Sequence, residues 1–278
     1  MPVGCHSFRN AVLLGVAVCV LAACNPVTPP DPPPPTAAEK ALTDLGLRPL
    51  AMYTRTTVLR VPFETTAEAT GWYVTPQTPV THHELSTSVV RAGKSAHKAW
   101  VTGPNVGNTE PDGPNHRGYP TMQLYKRPRG CVTPCLVTLW VWADVALKPG
   151  EWSQVATLTP ATTDSWLPAH LVNVGSEGWL HTMHVPTHGL SQWRYQRKDL
   201  MFPKRQWVKV DILIDYRKPY GAIAAFQNGM LMSAARIDGS VGASGAGVLN
   251  QAHFGLYMPP TVASAVVYND DLVISEVR

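Results

Sequence analysis

The sequence predicts an all-β protein, a two-sheet antiparallel β-sandwich, from two observations. Turn signals formed by Pro, Gly and Asn-Gly recur roughly every eight to fifteen residues from residue 41 onward. Short runs of β-branched and aromatic residues lie between these signals, and no amphipathic helix pattern of more than about three turns interrupts them. Many short strands of this kind are typical of sandwiches and barrels.

The N-terminal residues precede this predicted domain and have the pattern of an export signal. Arg9 is the only charge before the apolar run Ala11–Ala22, which is too short to span a bilayer and fits a signal-peptide core. The run leads into Leu21-Ala22-Ala23-Cys24, which resembles a bacterial lipobox. That resemblance implies a signal peptide at residues 1–23 and lipidation of Cys24. An ordinary secretion signal with a coincidental cysteine is the alternative.

A proline-rich segment follows the predicted lipidation site. Asn25–Thr36 contains seven prolines in twelve residues, a composition that favours an extended polyproline II spacer. We therefore expect an exported, membrane-anchored lipoprotein at the outer membrane or cell surface. Residues 24–40 would form its lipidated cysteine and tether, and residues 41–278 its β-domain.

Composition limits the classes of partner. Charged residues make up 15% of the chain and hydrophobic residues 45%, with nine Trp and nine Tyr, which indicates a folded domain. The net charge of +4 is too small for a nucleic-acid binder and compatible with an acidic ligand. We expect a monomer that does not bind nucleic acid.

Two cysteines remain in the predicted mature domain, Cys131 and Cys135 in RGCVTPCLV. Pro134 between them suits a tight loop, and an exported protein meets an oxidising environment. The spacing therefore predicts a small disulfide that closes a turn. A zinc site is the alternative, but it would need two further ligands and no second C-x-x-C pair occurs.

The elements can be predicted in chain order. Ala37–Leu45 is the one predicted helix. The predicted strands are Thr54–Val61, Thr87–Arg91, Lys98–Thr102, Tyr119–Lys126, Leu136–Leu147, Glu151–Leu158, His170–Val174, Trp179–Val185, Trp207–Asp215, Gly221–Gln227, Met230–Ile237, Ala252–Met258 and Ala265–Val277.

The C-terminal half has the clearest strand pattern. Val208, Val210, Ile212 and Ile214 alternate along one face, and Asn228-Gly229 between two apolar runs predicts a type I′ hairpin. This order, with its Gly-aromatic strand and Asp-containing final strand, resembles the closing strands of concanavalin A-like jelly rolls over Tyr119–Arg278. The resemblance implies a jelly-roll sandwich, a fold that hosts lectins, hydrolases, lyases and adhesive modules.

Within that fold, QAHFGLYMP at Gln251–Pro259 resembles the Y-F-K-x-G-x-Y-x-Q strand of jelly-roll polysaccharide lyases, including the alginate lyase-like and heparin lyase I-like groups. Superposing the glycines places Tyr257 on the catalytic tyrosine and His253 on the lysine. Gln251 replaces the first tyrosine, and Pro259 replaces the final glutamine. On a strand, His253, Gly255 and Tyr257 would share one face.

Two further segments resemble lyase strands. WLHTMHV, Trp179–Val185, is similar to the Q-[IV]-H strand, with Thr182 and His184 at the Gln and His positions. HRGYPTMQLYK, His116–Lys126, occupies the place of the R-[ST]-E-[LT]-R strand, but it lacks the glutamate and the second arginine. Thr121, Gln123 and Tyr125 alternate along it with the core-like Met122 and Leu124, and Arg117 lies just upstream.

The resemblance implies β-elimination on an acidic, uronate-containing polysaccharide. Tyr257 and His184 would be the catalytic residues that transfer protons. Arg117, Gln123, Tyr125 and His253 would bind the substrate, with Arg117 and Gln123 neutralising its carboxylate alongside His184. Neither a cofactor nor a metal is required.

Less specific interpretations stay open. Tyr257 could end a strand in water, His184 could cap a strand end, and Arg117 could be a solvated loop charge. The H-x-x-H-x-x-x-H spacing from His181 suits zinc on a helix, whereas this segment reads as a strand. The function alternative to a lyase is a non-catalytic glycan-binding or envelope-structural lipoprotein on the same fold.

Overall fold

Alternating apolar residues build two antiparallel sheets, and the predicted all-β sandwich is confirmed. The fold was analysed in a computed structural model, which describes residues 36–107, 114–127, 130–162, 166–185, 192–217, 220–238 and 247–278. The predicted signal peptide and Cys24 lie outside the described residues. The described residues belong to one unit, which spans Pro35–Arg278.

The helix α1, Ala37–Asp44, begins with a capping box. The Thr36 hydroxyl accepts a hydrogen bond from the Glu39 backbone N–H, and the Glu39 carboxylate accepts one from the Thr36 N–H. Leu45 is the C-cap, so the predicted helix is confirmed. Residues 37–40 of the predicted tether therefore belong to this helix.

Nine strands form the larger sheet, and their bounds follow the alternation of the sequence. Its order is β12-β15-β14-β13-β8-β19-β4-β3, with β1 also paired to β19. The strands are β1 (Arg55–Val61), β3 (Thr81–Ser86), β4 (Ala96–Val101), β8 (Cys135–Val145), β12 (Gln192–Gln196), β13 (Val208–Asp215), β14 (Tyr220–Gln227), β15 (Met230–Asp238) and β19 (Ala265–Val277).

Six strands form the smaller sheet, in the order β11-β10-β9-β17-β6-β2, and two short pairs accompany it. Its strands are β2 (Tyr73–Val74), β6 (Pro120–Gln123), β9 (Trp152–Thr159), β10 (Ala169–Gly175), β11 (Leu180–Val185) and β17 (Gln251–Phe254). The short pairs are β5 (His116–Gly118) with β18 (Leu256–Met258) and β7 (Cys131–Val132) with β16 (Val248–Leu249).

The main core lies between the two sheets. Val137, Leu139 and Val141 of β8 pack there, and Met122 of β6 and Phe254 of β17 belong to the same buried cluster. A second cluster covers the outer face of the nine-stranded sheet. Leu42, Leu45 and Leu47, from α1 and the residues after it, pack there against β8, β13, β14 and β15. The protein therefore has three layers: α1, the large sheet and the small sheet.

The predicted type I′ hairpin and the predicted disulfide are both present. Asn228 and Gly229 both have positive φ, 49° and 83°, as a type I′ hairpin between β14 and β15 requires. Cys131 and Cys135 form the predicted disulfide, which links β7 to the start of β8.

Three strand predictions differ from the structure. The strand predicted at Thr87–Arg91 is wrong, because β3 ends at Ser86 and the backbone N–H of Arg91 instead binds the Asp270 carboxylate. The predicted strand Tyr119–Lys126 turns into a 3-10 helix after Gln123. The predicted strand Ala252–Met258 divides at Gly255.

Candidate functional site

The outer face of the six-stranded sheet carries rows of polar side chains. Thr121, His253 and Thr157 lie opposite one another on β6, β17 and β9. Gln123, Gln251 and Thr159 form the neighbouring polar row. The row between them (Met122, Ala252 and Leu158) belongs to the core. Because side chains alternate across a strand, the polar rows face away from the core.

A cleft of about 390 Å³ lies over these rows. Arg117 supplies a positive charge to its wall, and three aromatic rings supply flat apolar surfaces. Such surfaces suit the faces of sugar rings. The residues that line the cleft are Tyr73, Arg117, Tyr119, Thr121, Gln123, Trp166 and Gln251.

A break in two adjacent strands brings Arg117 next to Tyr257. Gly255, between β17 and β18, has φ 140°, and a Cβ there would lie 2.6 Å from the Gly118 carbonyl oxygen. Only glycine allows this close backbone approach. Beyond the break, β18 pairs with β5 and Tyr257 lies directly opposite Arg117.

Tyr257 is half-buried among groups from two other parts of the chain. Its hydroxyl oxygen accepts a hydrogen bond of 3.1 Å from the Asn115 side-chain amide. The Arg117 guanidinium lies 5.5 Å from the centre of its ring, and the Trp152 ring meets it edge-on at 5.1 Å. The phenol oxygen is therefore held beside a hydrogen-bond donor and near a cation.

His253 lies beneath the cleft. Its ring stacks on Tyr119 with 3.8 Å between centroids, and Trp166 meets its edge at 5.0 Å. Burial, assisted by the nearby Arg117 charge, lowers the pKa of His253 to about 3, so the ring is neutral at physiological pH. Only 5% of the residue is exposed, which makes His253 a support for Tyr119 more than a direct substrate contact.

His184 does not join this group. Its ring stacks on His170 at 4.5 Å, and His170 is hydrogen-bonded through Nδ1 to the core residue Tyr216. His184 therefore faces the core, and β11 lies three strands from β17, a separation of about 14 Å. The predicted catalytic pairing of His184 with Tyr257 is not formed.

Two other predicted residues also lie outside the cleft. The Thr182 hydroxyl is hydrogen-bonded to Ser233 in the core, so this residue does not take the role of the Gln in the lyase pattern. Tyr125 lies on the 3-10 helix Leu124–Lys126 and is not among the residues that line the cleft. Arg117, Gln123 and Tyr257 are thus the predicted residues that the structure brings to the cleft region, with His253 beneath them.

The outer face also contains residues that were not predicted from the sequence. Gln154 and Asn173 lie opposite each other on β9 and β10, each about 1% exposed, and the Gln154 side-chain amide has no hydrogen-bond partner among the described residues. Buried amides of this kind are costly unless water or a ligand binds them. Gln154-Val155 matches the first two positions of the Q-[IV]-H pattern, a signal that could have identified it. Asn115, Trp152 and Trp166 carried no such signal.

The part of the chain that the structure describes lacks two features. No group of three or more His, Cys, Asp or Glu side chains is placed there to hold a metal ion. No helix in that part has the length and apolar character needed to cross a bilayer.

Comparison with solved structures defines the class of fold. The chain is similar to an endo-β-1,4-glucuronan lyase from the fungus Trichoderma reesei, with a TM-score of 0.54, 14% identity, and coverage of 80% of this chain and 96% of that one. It is also similar to the alginate lyase vAL-1 from Chlorella virus, with a TM-score of 0.51, 11% identity, and coverage of 80% and 100%. No protein-family model and no curated protein sequence matches the chain. These likenesses show a jelly-roll sandwich of the kind found in polysaccharide lyases.

Proposed function

We propose that this protein is an exported, lipid-anchored polysaccharide lyase that cleaves a uronate-containing polysaccharide by β-elimination. The observation that carries the proposal is the meeting of Tyr257, Arg117 and Asn115 beside a polar, aromatic-lined cleft. The similarity of the fold to a glucuronan lyase and an alginate lyase supports the same reaction class.

The reaction needs a proton acceptor and a group that neutralises a carboxylate. As the C–H bond beside the carboxylate breaks, a C=C bond forms and the C–O bond to the leaving sugar breaks. Tyr257 is the proton-transfer group, and its phenol oxygen takes the proton and returns it to the leaving oxygen. Arg117 offsets the charge that accumulates on the carboxylate, and the Asn115 amide holds the phenol oxygen in place.

The neutral residues around these groups bind and orient the sugar. Gln123 and Gln251 lie in one row of the sheet and line the cleft, while Trp166 and Tyr73 provide rings at the wall. His253 fixes the Tyr119 ring by stacking, since its own ring is neutral and buried. These side chains position a chain of sugar rings across the cleft.

The membrane part of the proposal rests on the N-terminal pattern. Cleavage before Cys24 and lipidation of that cysteine would anchor the protein through the proline-rich tether. Palmitate labelling of the protein in a bacterial host tests it, because Cys24→Ser should abolish the label while Cys19→Ser should not. Retained label in Cys24→Ser would exclude the anchor.

A glycan-binding module is the second candidate. It is favoured by the position of His184, because Tyr257 then lacks the partner proposed for proton transfer. A binding module needs the cation and aromatic rings of the cleft but no proton acceptor.

One experiment distinguishes a lyase from a glycan-binding module. It uses the purified protein with glucuronan, alginate, heparin, heparan sulfate and chondroitin. Ultraviolet absorbance reports the unsaturated uronate that elimination produces. We expect a rise that falls about 10²–10⁴-fold in Tyr257→Phe, the contribution typical of a proton-transfer group. Tyr125→Phe is the matched control, since Tyr125 is not a cleft-lining residue, and it should keep the activity. Binding without any rise on these polymers would replace the lyase proposal with the binding module.

A further inference from the structure

A second pocket lies at the edge of the sandwich and has no role in the proposed reaction. Its volume is about 310 Å³, and Val61, Phe63, Trp72 and Leu85 are among its apolar walls. It lies next to β2: Tyr73 lines the cleft, whereas Val74 lines this edge pocket. The two sites are therefore separate cavities.

His97 places an unsatisfied polar group in this apolar pocket. It is 5% exposed, and neither ring nitrogen has a hydrogen-bond partner among the described residues. The neighbouring rings are Phe63 at 5.8 Å and His83 at 5.7 Å. Burial, with a smaller effect of His83, lowers the pKa of His97 to about 3. The ring is therefore neutral and keeps one nitrogen as an acceptor.

Asn269 adds to the same polar interior. It lies directly opposite His97 on β19, and both of its amide atoms are buried without a partner in the described chain. A buried polar group that stays unpaired costs about 1–3 kcal/mol. Asn269 does not line the pocket, so the unpaired imidazole of His97 is the group that indicates a pocket built to bind something polar.

Glu68 contributes a carboxylate to the pocket. Its Oε1 accepts hydrogen bonds from the backbone N–H groups of Glu64 at 3.0 Å and Thr65 at 3.1 Å, which caps the 3-10 helix Thr66–Ala69. Its Oε2 is buried with no partner among the described residues. The capping bonds fix the carboxylate and leave one oxygen available to a ligand.

The charges that line the pocket favour a positively charged ligand. Glu68 and Glu84 line it, and no Lys or Arg is among its described lining residues. Glu84 already faces Lys98 at 3.4 Å on the exposed side, so Glu68 is the carboxylate left for the pocket. Trp72 and Phe63 add aromatic faces, which attract cations.

We propose that the edge pocket binds a small organic ammonium ion with an apolar body. Its ammonium group donates to Glu68 Oε2 and to the acceptor nitrogen of His97, and its body packs against Phe63, Trp72 and Leu85. This inference is independent of the lyase proposal, because it uses none of the cleft residues.

The test is calorimetric titration of the purified protein with three probes of similar shape: benzylammonium, benzyl alcohol and benzoate. We expect benzylammonium to bind at least about tenfold more tightly than benzyl alcohol, as one charge-assisted hydrogen bond provides, and benzoate not to bind. Equal binding of the ammonium and the alcohol would refute the recognition of charge. Absence of benzylammonium binding would overturn the proposal and mean that water alone satisfies these groups.

Glu68→Gln is the matched variant, because glutamine also supports a capping box and removes only the charge. It should eliminate the preference for benzylammonium. Glu39→Gln makes the same exchange in the capping box of α1 and should leave binding unchanged. Unaltered preference in Glu68→Gln would overturn the proposal.

His97→Phe separates a ligand-binding role from a structural one. Replacing an unpaired buried imidazole with an apolar ring should raise the denaturation midpoint while weakening benzylammonium binding several-fold. A structural histidine would instead show lower stability, and unchanged binding would exclude His97 from the site.

Discussion

The setting of Tyr257 depends on residues from two other parts of the chain, both distant from it in sequence. Arg117 lies on β5, Asn115 lies just before that strand, and Trp152 comes from β9. Sequence patterns identified Tyr257 within one predicted strand and Arg117 just before another. They did not identify Asn115 or Trp152, because nothing local in the sequence indicates contacts that arise only when β18 pairs with β5 and lies beside β9.

Arg117 provides a prediction at the residue scale. Arg117→Gln should lower kcat/KM about 10- to 100-fold on a uronate polymer, because it removes a charge-assisted hydrogen bond worth about 1.5–3 kcal/mol. The measurement is initial rate at several salt concentrations, since the loss should shrink as salt screens the wild-type attraction.

Arg127→Gln is the control for this prediction. Arg127 is exposed, and its guanidinium contacts the Val58 carbonyl oxygen outside the cleft. An equal loss in both variants would point to a general effect of net charge and contradict the role of Arg117.

At the scale of the element, long strands were predictable and interruptions were not. The bounds of β19 match the prediction at both ends, although its register shifts between Asp270 and Val273, an interruption that was not predicted. The faces of β11 were harder to assign. Thr182 and His184 alternate correctly, but whether they or His181 and Met183 face the core depends on packing against β14 and β15.

Gly255 provides the prediction at this scale. Gly255→Ala should lower the free energy of unfolding by at least about 2 kcal/mol, because the new Cβ meets the Gly118 carbonyl oxygen and φ is unfavourable for an L residue. It should also move Tyr257 away from Arg117 and reduce activity. Urea unfolding and rate assays measure both effects.

Gly150→Ala separates the effect of the steric contact from the effect of the unfavourable φ. Gly150 has φ 85°, and no atom lies within 4 Å of the position that an alanine Cβ would take, so alanine there meets only the backbone preference, about 1 kcal/mol. A loss in Gly255→Ala no larger than in Gly150→Ala would show that the close approach of the two strands is unimportant.

The whole molecule contains several histidines that fold in the neutral form. Burial lowers the pKa of His97 and His253 to about 3, and it also lowers the pKa values of His170, His116 and His181. Below about pH 6.5 these histidines therefore bind protons in the unfolded chain, whereas they stay neutral in the folded chain. Stability should be full above that pH and should be lost as pH falls toward about 3.

The predicted slope is up to about 1.4 kcal/mol per pH unit for each such histidine. Urea unfolding at about pH 7.5, 6, 5 and 4.5 measures it. His97→Phe should reduce the slope by up to about 1.4 kcal/mol per pH unit, because one buried neutral histidine is removed. A free energy of unfolding that stays constant between about pH 7.5 and 5 would contradict the prediction.

The position of α1 has a consequence for the proposed lipid anchor. The helix packs on the outer face of the nine-stranded sheet, and the Arg236 guanidinium donates to the Asp44 carbonyl oxygen at its end. The cleft lies on the outer face of the other sheet. If the proposed lipid anchor holds the chain at the N-terminal side of Thr36, the point of attachment is on the face opposite the cleft. The mouth of the cleft would then stay accessible to long polysaccharide chains.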